Sequence, residues 1–379
     1  MKIAFFTDSY LPTINGVSIA VDFTYRNLLK RKHNVFLVIP KTKDHKLDQN
    51  TSGIFSIVVN KAFNYRFSFI TPRIFNKLLK MNLDIIHGHA AGPISLSGLI
   101  LARLKKIPYV YTYHTMMADY AHYVPLRLIR PKMIDRIVKI SCNQCDCVIA
   151  PSEKVKKELI SLGVSNSIKV IPTGIEVNKF NIAKQDFLRN KFNLQKDNSI
   201  LLHTGRLGKE KSVDFLIHAF KLVHEQSPKT HFVIVGGGPQ LDFLKTLSKK
   251  LNIEKNVHFT GLIKPIDMPL VYNSADIFMF SSQTETQGLV VLEAMASGLP
   301  MVVVEDEALM ETLNNNVNGI IVKKDEKIYA KEVLRLLEDE KERRRLGESA
   351  RKKAVLISKG SIEKLEDIYK TLISKTQFS

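Results

Sequence analysis

Short runs of β-branched and other apolar residues recur along this chain, separated by amphipathic stretches such as residues 214–224 and 293–297. A first series lies at residues 3–6, 35–39, 85–86, 110–113, 148–149 and 169–171, and a second at 200–203, 232–235, 257–259, 277–280, 301–304 and 320–322. Strands that alternate with helices are typical of βαβ units, whose strands form parallel sheets. Because the pattern starts afresh at residue 200, the sequence predicts two doubly wound α/β domains with Rossmann-like sheets.

The length of the chain also agrees with two domains. A chain of 379 residues of which 45% are hydrophobic can bury two separate cores. A turn at Pro172-Thr173-Gly174 follows the first series, and mainly polar residues continue to about Asn198. We therefore expect an N-terminal domain over residues 1–175 and a C-terminal domain over residues 176–359. The segment 332–375 is rich in lysine and glutamate with one apolar stripe, which predicts a helical tail.

Positive charge is concentrated in the first half of the chain. Residues 1–180 contain 26 basic and 11 acidic side chains, whereas residues 181–379 contain 30 and 26. This asymmetry indicates an anionic partner, either nucleic acid or the anionic surface of a membrane. Solubility alone is the alternative explanation.

The sequence predicts neither a secretory leader nor a membrane span. Its first apolar run is short and ends at Asp8, and nowhere do eighteen uncharged apolar residues follow one another. We therefore expect a soluble or peripheral cytoplasmic protein. The three cysteines, Cys142, Cys145 and Cys147, have a spacing that a disulfide framework would not use, and a metal site would need a fourth ligand nearby. Structural thiols are the favoured interpretation.

Four glycine-containing turns follow predicted strands, where backbone N–H groups can approach a phosphate or a base. They are Asn15-Gly16, Gly205-Arg206, Gly236-Gly237-Gly238-Pro239 and Gln287-Gly288. After the run 200–203, Arg206 and Lys211 can project from the carboxyl edge of the sheet and neutralise a diphosphate together. The alternative is that both are solvated residues of a surface loop.

Two glutamates flank the start of a predicted helix in the second half. Glu285 lies in the polar loop after the run 277–280, and Glu293 lies in the second turn of a helix that begins near Gly288. The helix N-terminus favours an anionic group, and carboxylates accept hydrogen bonds from sugar or ribose hydroxyls. Glu293 is surrounded in sequence by apolar residues, so its charge needs a partner. The two carboxylates are therefore candidates for one ligand.

The segment from Glu285 to Glu293 resembles the E-x7-E motif of retaining GT-B glycosyltransferases of family 4, and Ala294-Met295-Ala296-Ser297-Gly298-Leu299-Pro300 matches the family's continuation. The resemblance extends over nearly the whole chain. Its other elements are Pro12-Thr13-Ile14-Asn15-Gly16-Val17, Asp84-Ile85-Ile86-His87-Gly88-His89, Tyr113-His114-Thr115, Gly205-Arg206-Leu207 with Lys211, and Val235-Gly236-Gly237-Gly238-Pro239. One departure is Ser212, where the family usually has glycine or asparagine.

This resemblance implies two Rossmann-like domains that face an interdomain cleft, with a C-terminal helix at about residues 360–379 that packs back on the first domain. It implies a catalytic set of His114 at the transferred sugar, Glu285 beside the donor sugar, and Arg206 with Lys211 on the diphosphate. It further implies that Glu293 binds the ribose. The remaining donor-binding positions are Gly16, Gly237, Gly238, Gln287, Gly288 and Leu289.

The segment Thr284-Glu285-Thr286-Gln287-Gly288 further resembles the sequences of the bacterial branch of this family that glycosylates diacylglycerol. It implies a UDP-glucose or UDP-galactose donor, a diacylglycerol acceptor and retention of the anomeric configuration. The alternatives are a soluble, lipopolysaccharide-type or phosphatidylinositol-type acceptor, or a basic scaffold with an inactive transferase fold. No tightly bound cofactor or essential metal is expected, because there is no D-x-D sequence, although His87 and His89 could bind a metal with His114 or His122.

Two stretches of the first half, residues 64–80 and 120–139, interleave basic and apolar side chains at helical spacing. Both are candidate interfacial helices that would dock on the inner face of the cell membrane, and packing against the sheet is the alternative. No nucleic-acid-binding module is recognised, so we do not expect a nucleic-acid partner.

Overall fold

The computed structural model describes residues 1–13, 15–42, 49–60, 65–68, 70–90, 92–114 and 131–377. The chain divides into two compact units. The first comprises Met1–Gly174 with Lys359–Ser379, and the second comprises Ile175–Ser358.

The first unit is built on a parallel sheet of seven strands in the order β3-β2-β1-β6-β7-β8-β9. The strands of this unit are β1 (Lys2–Thr7), β2 (Asn34–Pro40), β3 (Thr51–Ile54), β4 (Ser56–Asn60), β5 (Tyr65–Ser68), β6 (Ile85–His89), β7 (Tyr109–Thr112), β8 (Cys147–Ala150) and β9 (Ile168–Val170). Its helices are α1 (Gly16–Lys30), α2 (Pro72–Lys80), α3 (Pro93–Lys105), α4 (Pro131–Asn143) and α5 (Glu153–Ser161).

The second unit contains a parallel sheet of six strands in the order β12-β11-β10-β13-β14-β15. These strands are β10 (Ser199–Thr204), β11 (Thr230–Val235), β12 (Val257–Gly261), β13 (Ile277–Phe280), β14 (Met301–Val304) and β15 (Ile320–Val322). The helices are α6 (Val177–Phe180), α7 (Phe187–Phe192), α8 (Val213–Gln226), α9 (Leu241–Lys250), α10 (Met268–Tyr272), α11 (Leu289–Ala296), α12 (Glu307–Met310) and α13 (Glu326–Glu338). This strand order is that of the Rossmann fold, so the predicted fold class is confirmed.

Both faces of each of the two parallel sheets are buried, which explains the continuous apolar runs in the sequence. In β1, Ala4 and Phe6 pack on the face that α2 to α5 cover, whereas Ile3 and Phe5 pack on the face that α1 covers. All twelve predicted strands are present, and the helix predicted near Gly288 begins at Leu289.

The structure corrects the sequence interpretation of residues 64–80, which form no single interfacial helix. Residues Tyr65–Ser68 form β5, which pairs antiparallel with β4, and α2 begins only at Pro72. Alternating aromatic and polar residues favour a strand, and proline favours the first turn of a helix. Asn64 and Phe69 lie outside the described residues, as do residues 120–130 of the second stretch.

The stretch from Ile175 to Asn198, interpreted as part of a polar connection, belongs to the second unit. It forms the short helices α6 and α7, and its Val177, Phe180 and Leu188 side chains are buried there. The apolar residues of this stretch are too sparse to show a helical period, so the sequence did not predict these elements.

The tail forms one long helix, α14 (Glu340–Gln377), after α13 ends at Glu338. Residues of α14 after Ser358 belong to the first unit, where Ile362, Leu365 and Tyr369 pack with the core side chains of β1 and α1. No helix among the described residues is long and apolar enough to cross a membrane.

The three cysteines are buried free thiols. Burial raises the pKa of Cys142 to about 12 and that of Cys147 to about 11, so both are protonated at neutral pH. Within the described residues, no group of three or more His, Cys, Asp or Glu side chains is arranged so that it could hold a metal ion.

Candidate active site

The predicted donor residues of the second unit come from loops that follow three neighbouring strands, β11, β10 and β13. Ligands of open parallel sheets bind at this carboxyl edge. The loops after β10 and β11 are joined by backbone hydrogen bonds, since Gly205 N–H donates to the Val235 carbonyl at 2.9 Å and Leu207 N–H to the Gly237 carbonyl at 3.0 Å. These two loops therefore form one connected surface.

The glycines of the loop after β11 are required by this close approach. A Cβ atom at Gly236 would lie 1.8 Å from the Gly205 carbonyl oxygen, and one at Gly238 would lie 2.5 Å from the Leu207 carbonyl oxygen. At Gly237 the nearest atom would be Leu262 Cγ at 3.6 Å, an ordinary contact. Backbone packing alone therefore requires glycine at two of these three positions, whether or not a ligand binds there.

Lys211, predicted on the diphosphate, and Glu285, predicted beside the donor sugar, are in direct contact. Lys211 Nζ lies 2.5 Å from Glu285 Oε1, and the two side chains are only 14% and 11% exposed. The Ser281 hydroxyl donates to the Lys211 carbonyl at 2.8 Å and the Ser212 carbonyl at 2.9 Å, which ties the loop after β13 to the turn that carries the lysine. The ion pair is therefore held between two fixed loops.

Ser212, the departure from the family pattern, has a φ of +49°. This left-handed conformation is the one that glycine and asparagine adopt most readily. Its hydroxyl accepts a hydrogen bond from Lys324 Nζ at 2.8 Å.

Arg206 forms an ion pair with Glu210 within its own turn. Glu210 was not predicted from the sequence, although its spacing of four residues from Arg206 is typical of an ion pair on one turn. Arg206 therefore lies beside Glu210, which is a second carboxylate, after Glu285, at the carboxyl edge of this sheet.

Glu293 lies on α11 and is only 8% exposed. Its carboxylate accepts a hydrogen bond of 2.7 Å from the Tyr272 hydroxyl, which lies 2.7 Å from Thr204 Oγ1 at the end of β10. Burial raises the pKa of Glu293 to about 7, and the hydrogen bond from Tyr272 opposes this shift. Tyr272, the partner of Glu293, was not predicted from the sequence, because no local pattern links residue 272 to residue 293.

The N-terminus of α11 carries the remaining predicted positions of this unit, Gln287, Gly288 and Leu289. Gly288 precedes the helix with a φ of +79°, and a Cβ there would lie 2.7 Å from Leu309 Cδ2. Gln287 is buried. The first N–H groups of a helix have no acceptor within it, so this end is suited to an anion.

Three buried polar atoms near this edge lack a hydrogen-bond partner among the described residues. They are His203 Nε2, Ser282 Oγ and Thr284 Oγ1. The other ring nitrogen of His203 lies 3.1 Å from the Met279 carbonyl, and burial lowers its pKa to about 4. None of these residues was predicted, because isolated polar residues in apolar strands give no specific signal.

The predicted residues of the first unit are Gly16 and His114. Gly16 is the first residue of α1, and Asn15 caps this helix by accepting a 2.9 Å hydrogen bond from Ser18 N–H. His114 follows β7, and its Nε2 lies 3.1 Å from His89 Nδ1. Ile14, Thr115 and His122 lie outside the described residues.

Two family models together match most of the chain. The model of "Glycosyltransferase Family 4" matches residues 14–179, and that of "Glycosyl transferases group 1" matches residues 184–353. The α-monoglucosyldiacylglycerol synthase of Streptococcus pneumoniae is 35% identical over 85% of this chain and 75% of its own length. The chain belongs to the family 4 glycosyltransferases. A second such synthase, from Acholeplasma laidlawii, is 30% identical over 86% of each protein.

Solved structures share the fold of this glycosyltransferase. Sucrose-phosphate synthase from Thermosynechococcus elongatus has a TM-score of 0.77 at 20% identity, over 99% of this chain and all of that one. Anabaena HepE in complex with UDP has a TM-score of 0.76 at 20% identity, over 97% of this chain and all of that one. These likenesses establish the GT-B fold.

Proposed function

We propose that this glycosyltransferase moves glucose or galactose from a UDP-sugar to the free hydroxyl of 1,2-diacylglycerol and forms an α-monoglycosyldiacylglycerol at the inner face of the cell membrane. The contact between Lys211 and Glu285 carries the proposal, because it joins a diphosphate-binding cation and a sugar-binding carboxylate at one ligand-binding edge. The two synthases named above and a sulfoquinovosyl transferase of Arabidopsis thaliana, 29% identical over 66% of this chain, support the lipid acceptor.

In this proposal, the donor lies along the carboxyl edge of the second sheet. Lys211 and Arg206 neutralise the diphosphate, and Glu293 accepts hydrogen bonds from the ribose. Glu285 and Glu210 hold the two cations in place, so little reorganisation is needed when a diphosphate approaches. Gln287, Gly288 and Leu289 direct the helix N-terminus toward the same anionic group.

The transfer then proceeds on one face of the sugar. The bond from the anomeric carbon to the diphosphate oxygen breaks while the acceptor oxygen bonds to that carbon from the same side. The acceptor proton passes to the departing diphosphate oxygen, whose negative charge Lys211 and Arg206 stabilise. His114 is assigned to the transferred sugar in this proposal.

Membrane docking is proposed for the outer surface of α2, α3 and α4. Their inward residues Leu78, Leu101 and Val138 share one core on the same face of the first sheet. The exposed apolar side chains of these helices are Leu79, Leu96, Ile100, Leu104, Met133, Ile137 and Ile140. The exposed basic side chains on and next to them are Arg73, Lys77, Lys80, Arg103, Lys106, Lys132, Arg136 and Lys139.

This mixture suits an anionic lipid surface, which attracts the cations and receives the apolar side chains. Asp135 is the one acidic residue within the three helices. The α3 stripe Leu96, Ile100 and Leu104 has helical spacing and was not singled out in the sequence, where it is indistinguishable from a core stripe.

The test uses the full chain with radiolabelled UDP-glucose or UDP-galactose and vesicles that contain diacylglycerol and an anionic phospholipid. We expect a labelled α-monoglycosyldiacylglycerol with wild-type protein and none with Lys211→Met. Label in a soluble acceptor alone would overturn the lipid acceptor, and the absence of both transfer and donor hydrolysis would overturn the enzyme assignment.

A further inference from the structure

Two histidines of the first unit, the buried His89 and the partly buried His114, form a pair where β6 and β7 end. His89 Nδ1 lies 3.1 Å from His114 Nε2. His89 is 2% exposed, and its ring centroid lies 3.9 Å from that of His87. Burial lowers the pKa of both His89 and His114, the latter to about 4, so both rings are neutral at physiological pH.

A neutral imidazole carries one N–H donor and one bare nitrogen acceptor, so two arrangements of this pair are possible. In the first, His89 Nδ1–H donates to His114 Nε2, and the proton of His114 resides on Nδ1. In the second, His114 Nε2–H donates to His89 Nδ1, and the proton of His89 resides on Nε2.

The surroundings of His89 distinguish the two arrangements. His89 Nε2 is buried and has no hydrogen-bond partner in the described part of the chain. The neighbouring His87 is already engaged by two hydroxyls, that of Tyr369 at 2.5 Å from Nδ1 and that of Thr112 at 2.7 Å from Nε2. The second arrangement would bury an N–H without an acceptor, which is rarer in proteins than an unsatisfied acceptor.

We propose that His89 is a positioning residue that fixes His114 in the tautomer with its proton on Nδ1. This inference rests on the proposed function in one respect, which is the contact of His114 with the transferred sugar. There, the fixed tautomer makes Nδ1 a hydrogen-bond donor rather than an acceptor. His89 itself contacts no substrate and acts through His114.

The tautomer is measured directly in the full-length protein by long-range ¹H–¹⁵N correlation of the histidine rings, with the His114 signal assigned by His114→Gln. We expect a protonated Nδ1 and a bare Nε2 at pH 7.5, without any substrate. A proton on Nε2 of His114 would overturn the inference, whether or not the protein is active.

Two substitutions of His89 separate positioning from packing. In His89→Asn, the side-chain amide nitrogen is separated from Cα by the same number of bonds as Nδ1 of histidine, so the variant keeps the hydrogen-bond donor. His89→Leu removes this donor. We expect His89→Leu to lose the single tautomer of His114 and to lower kcat about tenfold or more with little change in the KM for UDP-sugar. His89→Asn should retain the tautomer and most of kcat.

A matched control exists in the second unit, where His231 Nδ1 lies 3.0 Å from His258 Nε2. His231→Leu removes the same kind of pair and should leave kcat unchanged. Equal kcat values for His89→Leu and His89→Asn would overturn the positioning role. A wild-type protein with the expected tautomer but no transfer would instead count against the proposed function.

Discussion

The carboxyl group of Glu293 combines burial with a single short hydrogen bond to Tyr272, and this sets its response to pH. Its pKa is about 7 in the folded protein and 4.5 without the fold. The stabilising contribution of such a group is fully present below its unfolded pKa and is lost as the pH rises through its folded pKa. At about 1.4 kcal/mol per pKa unit, the loss amounts to about 3 kcal/mol.

We therefore predict that Glu293→Gln weakens this pH dependence. Between pH 5 and pH 8, denaturant unfolding should show a smaller decrease in the free energy of unfolding for the variant than for the wild type. The exposed Glu338→Gln serves as the control and should behave like wild type. An identical decrease in Glu293→Gln and wild type would show that this carboxyl does not titrate in the expected range.

Ionisation of Glu293 lowers the stability of the fold, but it should strengthen donor binding. The ionised carboxylate accepts hydrogen bonds from the ribose hydroxyls more strongly than the protonated form does. We predict that the KM for UDP-sugar falls as the pH rises through about 7. Steady-state kinetics from pH 5.5 to pH 8.5 test this, and a KM that rises over that interval would contradict the ribose assignment of Glu293.

The ion pair of Lys211 and Glu285 is expected to affect both the stability of the protein and the proposed transfer. Lys211→Met takes the ammonium group away from a largely buried carboxylate, so we predict a loss of about 2 kcal/mol in the free energy of unfolding. Transfer should fall at least about 100-fold, because the leaving diphosphate loses a cation.

The double variant Lys211→Met with Glu285→Gln distinguishes the two effects. Removing both charges should restore most of the stability, since the buried carboxylate is gone as well. Transfer should stay lost. Recovery of transfer in the double variant would show that Lys211 serves only to balance Glu285.

At the scale of the elements, the contact between the loops after β10 and β11 depends on glycine at particular positions. We predict that Gly236→Ala lowers the free energy of unfolding by about 2–3 kcal/mol, because its Cβ would meet a backbone oxygen. Gly237→Ala, whose Cβ meets only an ordinary contact, is the matched control and should change stability little. Thermal unfolding of both variants measures the difference, and equal melting temperatures would contradict the close approach of these loops.

The elements that the sequence predicted are those with a strong local signal. The buried central strands, such as β1 and β13, are continuous apolar runs, and the start of α11 follows a glycine after a polar loop. Strand β3, with the sequence Thr-Ser-Gly-Ile, lies at the edge of its sheet and is only partly buried, so it needs no apolar run. For this reason, the sequence did not predict β3.

Prediction of the candidate site from the sequence is limited in the same way. Motif spacing singled out Lys211, Glu285 and Glu293 as candidates, but the partners of such residues come from distant parts of the chain. Tyr272 reaches Glu293 from α10, and His89 meets His114 across two strands. A single sequence contains no signal for such long-range pairs.

At the scale of the whole molecule, the two units differ in net charge. The first unit contains 29 basic and 13 acidic side chains, and the second contains 27 and 24. The proposed docking surface on α2, α3 and α4 should therefore bind anionic vesicles through charge, and less so as salt shortens the screening length from about 10 Å at 0.1 M to about 3 Å at 1 M. The apolar side chains should retain part of the binding at high salt, because their burial in lipid is not screened.

We predict that Lys132→Gln, Arg136→Gln and Lys139→Gln together weaken binding to anionic vesicles roughly 100-fold, at about 1 kcal/mol for each charge near the surface. The triple variant Lys245→Gln, Lys249→Gln and Lys250→Gln on α9 removes the same charge from exposed positions of the second unit. Flotation with anionic and neutral vesicles compares the two. If docking depended on total charge alone, both variants would lose affinity equally. A loss confined to the α4 variant requires instead that this surface, with Met133, Ile137 and Ile140 exposed beside its cations, meets the lipid.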